Sequence, residues 1–178
     1  MPALLAWPGE DFACPDCAVA YPDLPVPDAV AMVAALPALT REAVAELPDA
    51  ALRRRPSADR WSVAEYLCHL RDVHVAYTIR LHRARTEDRP VLEPMLNDLR
   101  ARRFRYADCD VPAVLGELAA AAAGFADEVR RVPPDGWDRP VVRQPGEERT
   151  ARWLVRQTAH EGRHHLADVR WVGAAVQE

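Results

Sequence analysis

Residues 160–168 read HEGRHHLAD and pack three histidines, a glutamate and an aspartate into nine positions. His160-Glu161-Gly162-Arg163-His164 spells H-E-x-x-H, the pattern in which two histidines one helical turn apart hold zinc and the glutamate activates water. His165 adds a second register, because Glu161 and His165 are also four residues apart. The stretch therefore offers a two-histidine pair, His160/His164, and a carboxylate–imidazole pair, Glu161/His165, on different faces of one helix.

A helical wheel separates the two pairs. With Leu154 at zero and roughly 100° per residue, Val155, Leu166, Val169 and Val172 place the apolar face near about 60°. Glu161 then falls near about 340° and His165 near about 20°, against about 240° for His160 and about 280° for His164. Only Glu161 and His165 adjoin the apolar face. Arg152, Arg156, Arg163 and Arg170 mark a solvated side next to His160, while Trp153 and Trp171 suggest a second contact surface beside His160 and His164. A zinc protease would also need a third ligand downstream, and beyond His165 the remaining acids are Asp168 and Glu178. Protease chemistry is disfavoured on that ground.

A third ligand for Glu161 and His165 must come from another helix, and His69, His74 and His82 share one long helical segment. Spacing does not choose among them: His74 lies with Leu67 and Leu81 on the wheel, and His69 with Val73 and Ala76. Asp168, one turn beyond His165, and Asp72, three residues after His69, are candidates to hold imidazole N–H groups. A separate motif, Cys14-Pro15-Asp16-Cys17, is a C-x2-C knuckle and a candidate half of a second metal site, with Cys68 and Cys109 or a partner chain supplying the rest.

The elements that must position these groups are helices. Six prolines in residues 1–27 break any long helix and predict an irregular N-terminal extension, leaving residues 28–178 as the bundle domain. A first helix spans about 28–47, with Pro37 as a kink or break and Thr40 placed to cap its second half. Ser62 and Glu65 form a capping box that opens a second helix to about residue 85. A loop over 86–98 and a short helical piece within 94–106 lead to a third helix, opened by Asp110 and running to about 132. Thr150 caps a last helix to about 172, with Gly173 just past its end; residues 140–143 could form a short extended piece. Four amphipathic helices predict an all-α four-helix bundle.

Composition narrows the partners. A net charge of -4 gives no general attraction to phosphate backbones, and the basic stretch LRARRFR at 99–105 is diluted by Asp98, Asp108 and Asp110, so no nucleic acid is expected. No apolar run is long enough for a membrane span and the N-terminus lacks a signal-peptide pattern, which predicts a cytoplasmic protein. In that compartment the four cysteines are thiols or metal ligands rather than disulfides.

Trp61-Ser62-Val63-Ala64-Glu65-Tyr66-Leu67-Cys68-His69-Leu70, with Glu161-x3-His165-x2-Asp168, resembles the DinB/YfiT-like superfamily of metal-binding four-helix bundles over residues 28–173. In that superfamily helix two contributes one histidine, which lands on His69. Helix four contributes two ligands four apart, and the Glu-x3-His-x2-Asp form matches the branch of mycothiol-dependent maleylpyruvate isomerase. The resemblance implies a zinc or nickel ion held by His69, Glu161 and His165, with His160/His164 as the alternative register of equal spacing. It also implies a small thiol such as mycothiol or bacillithiol acting on an electrophilic substrate, hence a thiol transferase-like enzyme, and a homodimer as a common family assembly. The isomerase carries a further C-terminal domain, so its own reaction is not expected here. The rival readings are a metal-stabilised module without turnover and a metal-dependent hydrolase; an open coordination position beside a cleft would mark an enzyme, and four protein ligands a structural ion.

Overall fold

The computed structural model describes residues 7–144 and 146–177; residues 1–6 of the expected N-terminal extension lie outside the described residues. Four long helices carry the fold: α1 (Val26–Val44), α3 (Val63–Thr86), α5 (Val111–Arg130) and α6 (Ala151–Ala175). Two short helices, α2 (Asp49–Arg53) and α4 (Asn97–Arg103), lie in the connections. Helices α1 and α3 each pack against both α5 and α6. Consecutive long helices α1 and α3 therefore stand diagonally, as do α5 and α6, so the bundle is not a simple up-and-down meander.

Three of the four long helices start at their sequence-encoded caps, while α1 starts at Val26, two residues before the expected position 28, with no side-chain cap. Ser62 accepts the Glu65 amide at 3.3 Å while the Glu65 carboxylate takes the Ser62 N–H at 2.8 Å, closing the capping box of α3. Asp110 accepts from the Ala113 amide and Thr150 from the Trp153 amide, satisfying first-turn donors of α5 and α6. The interior is built from the inward faces, with Leu67, Leu70, Leu81, Leu118, Phe125, Trp153 and Leu154 all buried.

Elsewhere the helices depart from the local signals. Pro37 does not break α1; the helix runs through it, and Thr40 does not cap a second half but returns its hydroxyl to the Leu36 and Pro37 carbonyls at 3.0 and 3.1 Å. Burial of Val33, Leu36 and Val44 across the bundle outweighs the hydrogen bond that proline removes. Gly173 lies inside α6 rather than past its end, because there the helix passes close to Leu47: an added Cβ would sit 3.0 Å from Leu47 Cδ1. The extended piece at 140–143 is half of a hairpin, β1 (Pro140–Gln144) pairing antiparallel with β2 (Glu147–Thr150), with Gly146 at φ 82° leading into β2. The short helical piece within 94–106 divides into α4 and a 3-10 turn at Tyr106–Asp108.

Residues 7–25 lie along the bundle instead of away from it. Val19 and Tyr21 are buried in the main core, and Trp7 stacks on Trp153 with ring centroids 5.0 Å apart. Among the described residues no helix is long and apolar enough to cross a membrane.

Candidate metal centre

Helices α3 and α6 pack side by side and bring His69, Glu161 and His165 together, their ligand atoms all within 4.8 Å of one another. Glu161 Oε2 lies 3.5 Å from His69 Nε2 and 3.2 Å from His165 Nε2, and the two imidazoles meet edge to face at 4.8 Å. Trp61 packs on His69 and Tyr66 on His165, which limits the rotation of both rings. His69 is buried and its Nε2 has no hydrogen-bond partner. A buried, unpartnered imidazole nitrogen aimed at a carboxylate and a second imidazole is what a divalent ion would satisfy.

Neighbouring groups hold the three in place. Asp168 Oδ2 accepts from His165 Nδ1 at 2.8 Å, and Gln157, one turn before Glu161, donates Nε2 to Glu161 Oε1 at 2.6 Å. Burial pushes the His69 imidazole below its ordinary pKa. Burial would also lower His165, but Asp168 and Glu161 outweigh it and push the group up to about 9. Glu161 is held well below the usual carboxylate range: burial opposes this, and the His165 and His69 imidazoles close beside it prevail.

The cluster forms part of the wall of a cleft of about 760 Å³. Trp7, Tyr77, Arg80 and Arg143 line it together with residues 94–99. Leu96 sits in this lip at φ 51°, a left-handed conformation that a leucine adopts only at a cost. Arg80 stacks over Tyr77 and donates to the Glu93 carbonyl at 2.6 Å; Arg143 pairs with Glu147 at 2.8 Å. Two buried guanidinium groups thus line the cleft, Arg143 with its charge balanced by Glu147.

The other predicted residues are placed as follows. Asp72 does not serve His69: Arg71 takes its Oδ1, and Arg100 and Tyr106 take its Oδ2, so it fastens α4 and the following turn to α3. His74 is buried with Nδ1 on the Leu70 carbonyl, and exposed His82 lies beside Glu128; neither joins the cluster. Cys68 and Cys109 neighbour each other near the Tyr106 and Ala64 carbonyls and do not complete the C-x2-C site. Instead, Cys14 and Cys17 meet His160 and His164, with all four ligand atoms within 4.8 Å. His160 is thereby more buried than its wheel position suggests, because Phe12 and Tyr21 of the N-terminal segment cover it. Sequence reasoning missed Gln157, whose spacing of four from Glu161 could have revealed it, and Arg80, Arg143 and Tyr21, for which no local signal exists.

Two imidazoles and a carboxylate converging from adjacent helices of a four-helix bundle make a candidate metal site of carboxylate–histidine type. The sequence profile of the DinB superfamily matches residues 32–169, and the chain belongs to that superfamily. Among solved structures it is similar to YfiT from Bacillus subtilis, described as a probable metal-dependent hydrolase with an unusual four-helix bundle topology. That match has 19% identity and a TM-score of 0.75, and covers 84% of this chain and 86% of the other. It is also similar to mycothiol-dependent maleylpyruvate isomerase, at 16% identity and a TM-score of 0.66, over 83% of this chain but only 61% of that one. A histidine-to-alanine variant of the isomerase matches to the same extent, at 15% identity. A search of curated protein sequences returns no match.

Proposed function

We propose that this chain is a divalent-metal-dependent enzyme that joins a low-molecular-weight thiol of the mycothiol or bacillithiol kind to an electrophile, with His69, Glu161 and His165 holding the ion. The observation that carries this reading is the incomplete ligand set: three protein donors converge at the side of a cleft large enough for a small molecule. Two imidazoles and one carboxylate suit zinc or nickel, and such an ion, when bound, lowers the pKa of a coordinated thiol or water toward neutrality.

The remaining work falls to the protein's own groups. Asp168 keeps His165 turned so that Nε2 faces Glu161, and Gln157 does the same for the Glu161 carboxylate. Arg80 offers positive charge to a carboxylate on the thiol or the electrophile. Trp7 and Tyr77 supply apolar walls that exclude water from that end. The structural likeness to the thiol-dependent isomerase supports this choice of co-substrate.

The test is turnover of a chromogenic electrophile with mycothiol, with bacillithiol and with no thiol, using metal-loaded wild type and His69→Ala. Thiol-dependent conjugation that needs the metal and is lost in His69→Ala is expected. Equal turnover without thiol would replace this reading by hydrolysis, in line with the description of YfiT. Stoichiometric metal with no turnover of any electrophile would replace it by a binding module.

A further inference from the structure

The C-x2-C motif and the outer histidine pair, which a sequence reading keeps apart, occupy one place in the fold. We propose that Cys14, Cys17, His160 and His164 form a second metal site, a closed Cys2His2 zinc centre that clamps the N-terminal segment onto α6. Their ligand atoms all lie within 4.8 Å of one another. For zinc–sulfur bonds of about 2.3 Å and zinc–nitrogen bonds of about 2.0 Å, a tetrahedron has edges of roughly 3.3–3.8 Å. Cys14 Sγ and His164 Nδ1 are already 3.5 Å apart, within that range.

Each ligand is positioned by its own surroundings. The segment carrying the cysteines folds back on itself: Cys14 N–H donates to the Val19 carbonyl at 2.8 Å, Ala18 N–H to the Cys14 carbonyl at 3.1 Å, and Ala13 bridges to Ala20. Ala18 takes φ 59°, a left-handed turn that non-glycine residues adopt at a cost, and this turn brings the two thiols to one side. On α6, residues 160 and 164 are one turn apart and present both rings to the knuckle. His160 Nδ1 is engaged by the Tyr21 hydroxyl at 3.0 Å, which leaves Nε2 buried and without a hydrogen-bond partner. His164 directs Nδ1 at Cys14, with Nε2 3.9 Å from Asp168. For His160 one nitrogen thus meets a neighbour that orients the ring, the arrangement usual for imidazole ligands.

The donor set selects the ion and the role. Two thiolates and two neutral imidazoles balance the charge of one Zn2+, so a half-buried site carries no net charge, and soft sulfur disfavours magnesium or calcium. Four protein ligands leave no position for substrate, in contrast to the three-ligand cluster next to it. The clamp joins positions far apart in the chain, and it holds the segment whose Trp7 and Pro8 line the cleft. His160 and His164 alternate along α6 with Glu161 and His165, so the same ion would fix the helix that carries the neighbouring cluster. This inference stands whether or not that neighbouring cluster is catalytic.

The test uses untagged full-length protein, its zinc content, and cobalt(II) as a replacement probe. We expect about two zinc ions per chain, and in the cobalt form a near-ultraviolet sulfur-to-cobalt charge-transfer band with strong tetrahedral visible bands. The double variant Cys14→Ser/Cys17→Ser is expected to lose one equivalent and the charge-transfer band. His69→Ala is expected to lose the other equivalent and keep the band. Should the double variant not fold, titration of unmodified protein with an organomercurial provides the same information: zinc is released as the thiols react. The proposal is overturned if wild-type cobalt protein lacks the band, if the band persists in the double variant, if the mercurial releases no zinc, or if Cys14 and Cys17 are found as a metal-free disulfide.

Discussion

His165 is where the chemistry of single residues is most exposed to test. In the metal-free chain its pKa rises from 6.5 to about 9, because Asp168 and Glu161 stabilise the imidazolium more than burial opposes it. The raised value means that the charged form contributes stability in full below about pH 6.5 and that this contribution is lost as pH rises through about 9. Chelator-treated protein should therefore melt at progressively lower temperature between pH 7 and about pH 9, and Asp168→Asn should flatten that slope. Thermal denaturation across this range checks it; a midpoint that climbs with pH would refute the assignment. The same substitution should weaken metal binding at the His69 cluster by about 10–100-fold, since the ring would no longer be held toward Glu161. Competition with a chromogenic chelator reads that change.

At the scale of elements, the caps and the diagonal packing decide where those residues stand. Ser62 and Glu65 close the start of α3, two turns before His69, and Arg55 adds an ion pair to the Glu65 carboxylate at 2.8 Å. Ser62→Ala should cost about 1 kcal/mol in urea denaturation while changing metal affinity little, because His69 is held by packing against Trp61 and α6 rather than by the first turn. A tenfold loss of metal would show instead that the cap positions the ligand. Helices α1 and α6 meet closely at Gly162, where an added Cβ would lie 3.0 Å from Leu36 Cδ2, so this glycine lets α1 lie against the turn between the two ligand registers. The capping signals of α3, α5 and α6 were readable because each is contained in four consecutive residues. The course of α1 through Pro37 was not, since local propensity argued for a break and only burial across the bundle overrides it.

For the whole molecule, ion binding and folding are one equilibrium. An ion that binds the folded chain alone adds about 2.7 kcal/mol at a concentration a hundredfold above its Kd, so chelation should lower the melting temperature and stoichiometric zinc should restore it. Calorimetry with and without chelator checks this, and an unchanged midpoint would mean that no ion is held. What the amino-acid sequence determined by itself was the set of long helices, the caps of α3, α5 and α6, and the choice of Glu161 and His165 as the pair beside the apolar face. These features repeat within one helix, so a period of 3.6 and a short motif suffice to read them. Helical spacing left His69, His74 and His82 open and the family motif pointed to His69; the tertiary structure brings His69 to that pair and shows that Asp72 serves α4 instead. It alone also joined Cys14 and Cys17 to His160 and His164. The wheel of α6 placed His160 beside a solvated flank, with Trp153 hinting at a second contact; that contact is the N-terminal segment, packed by Trp7, Phe12 and Tyr21. Burial of a helix face depends on what lies over it, and here the covering residues are about 140 positions away in the chain, beyond the reach of any local pattern.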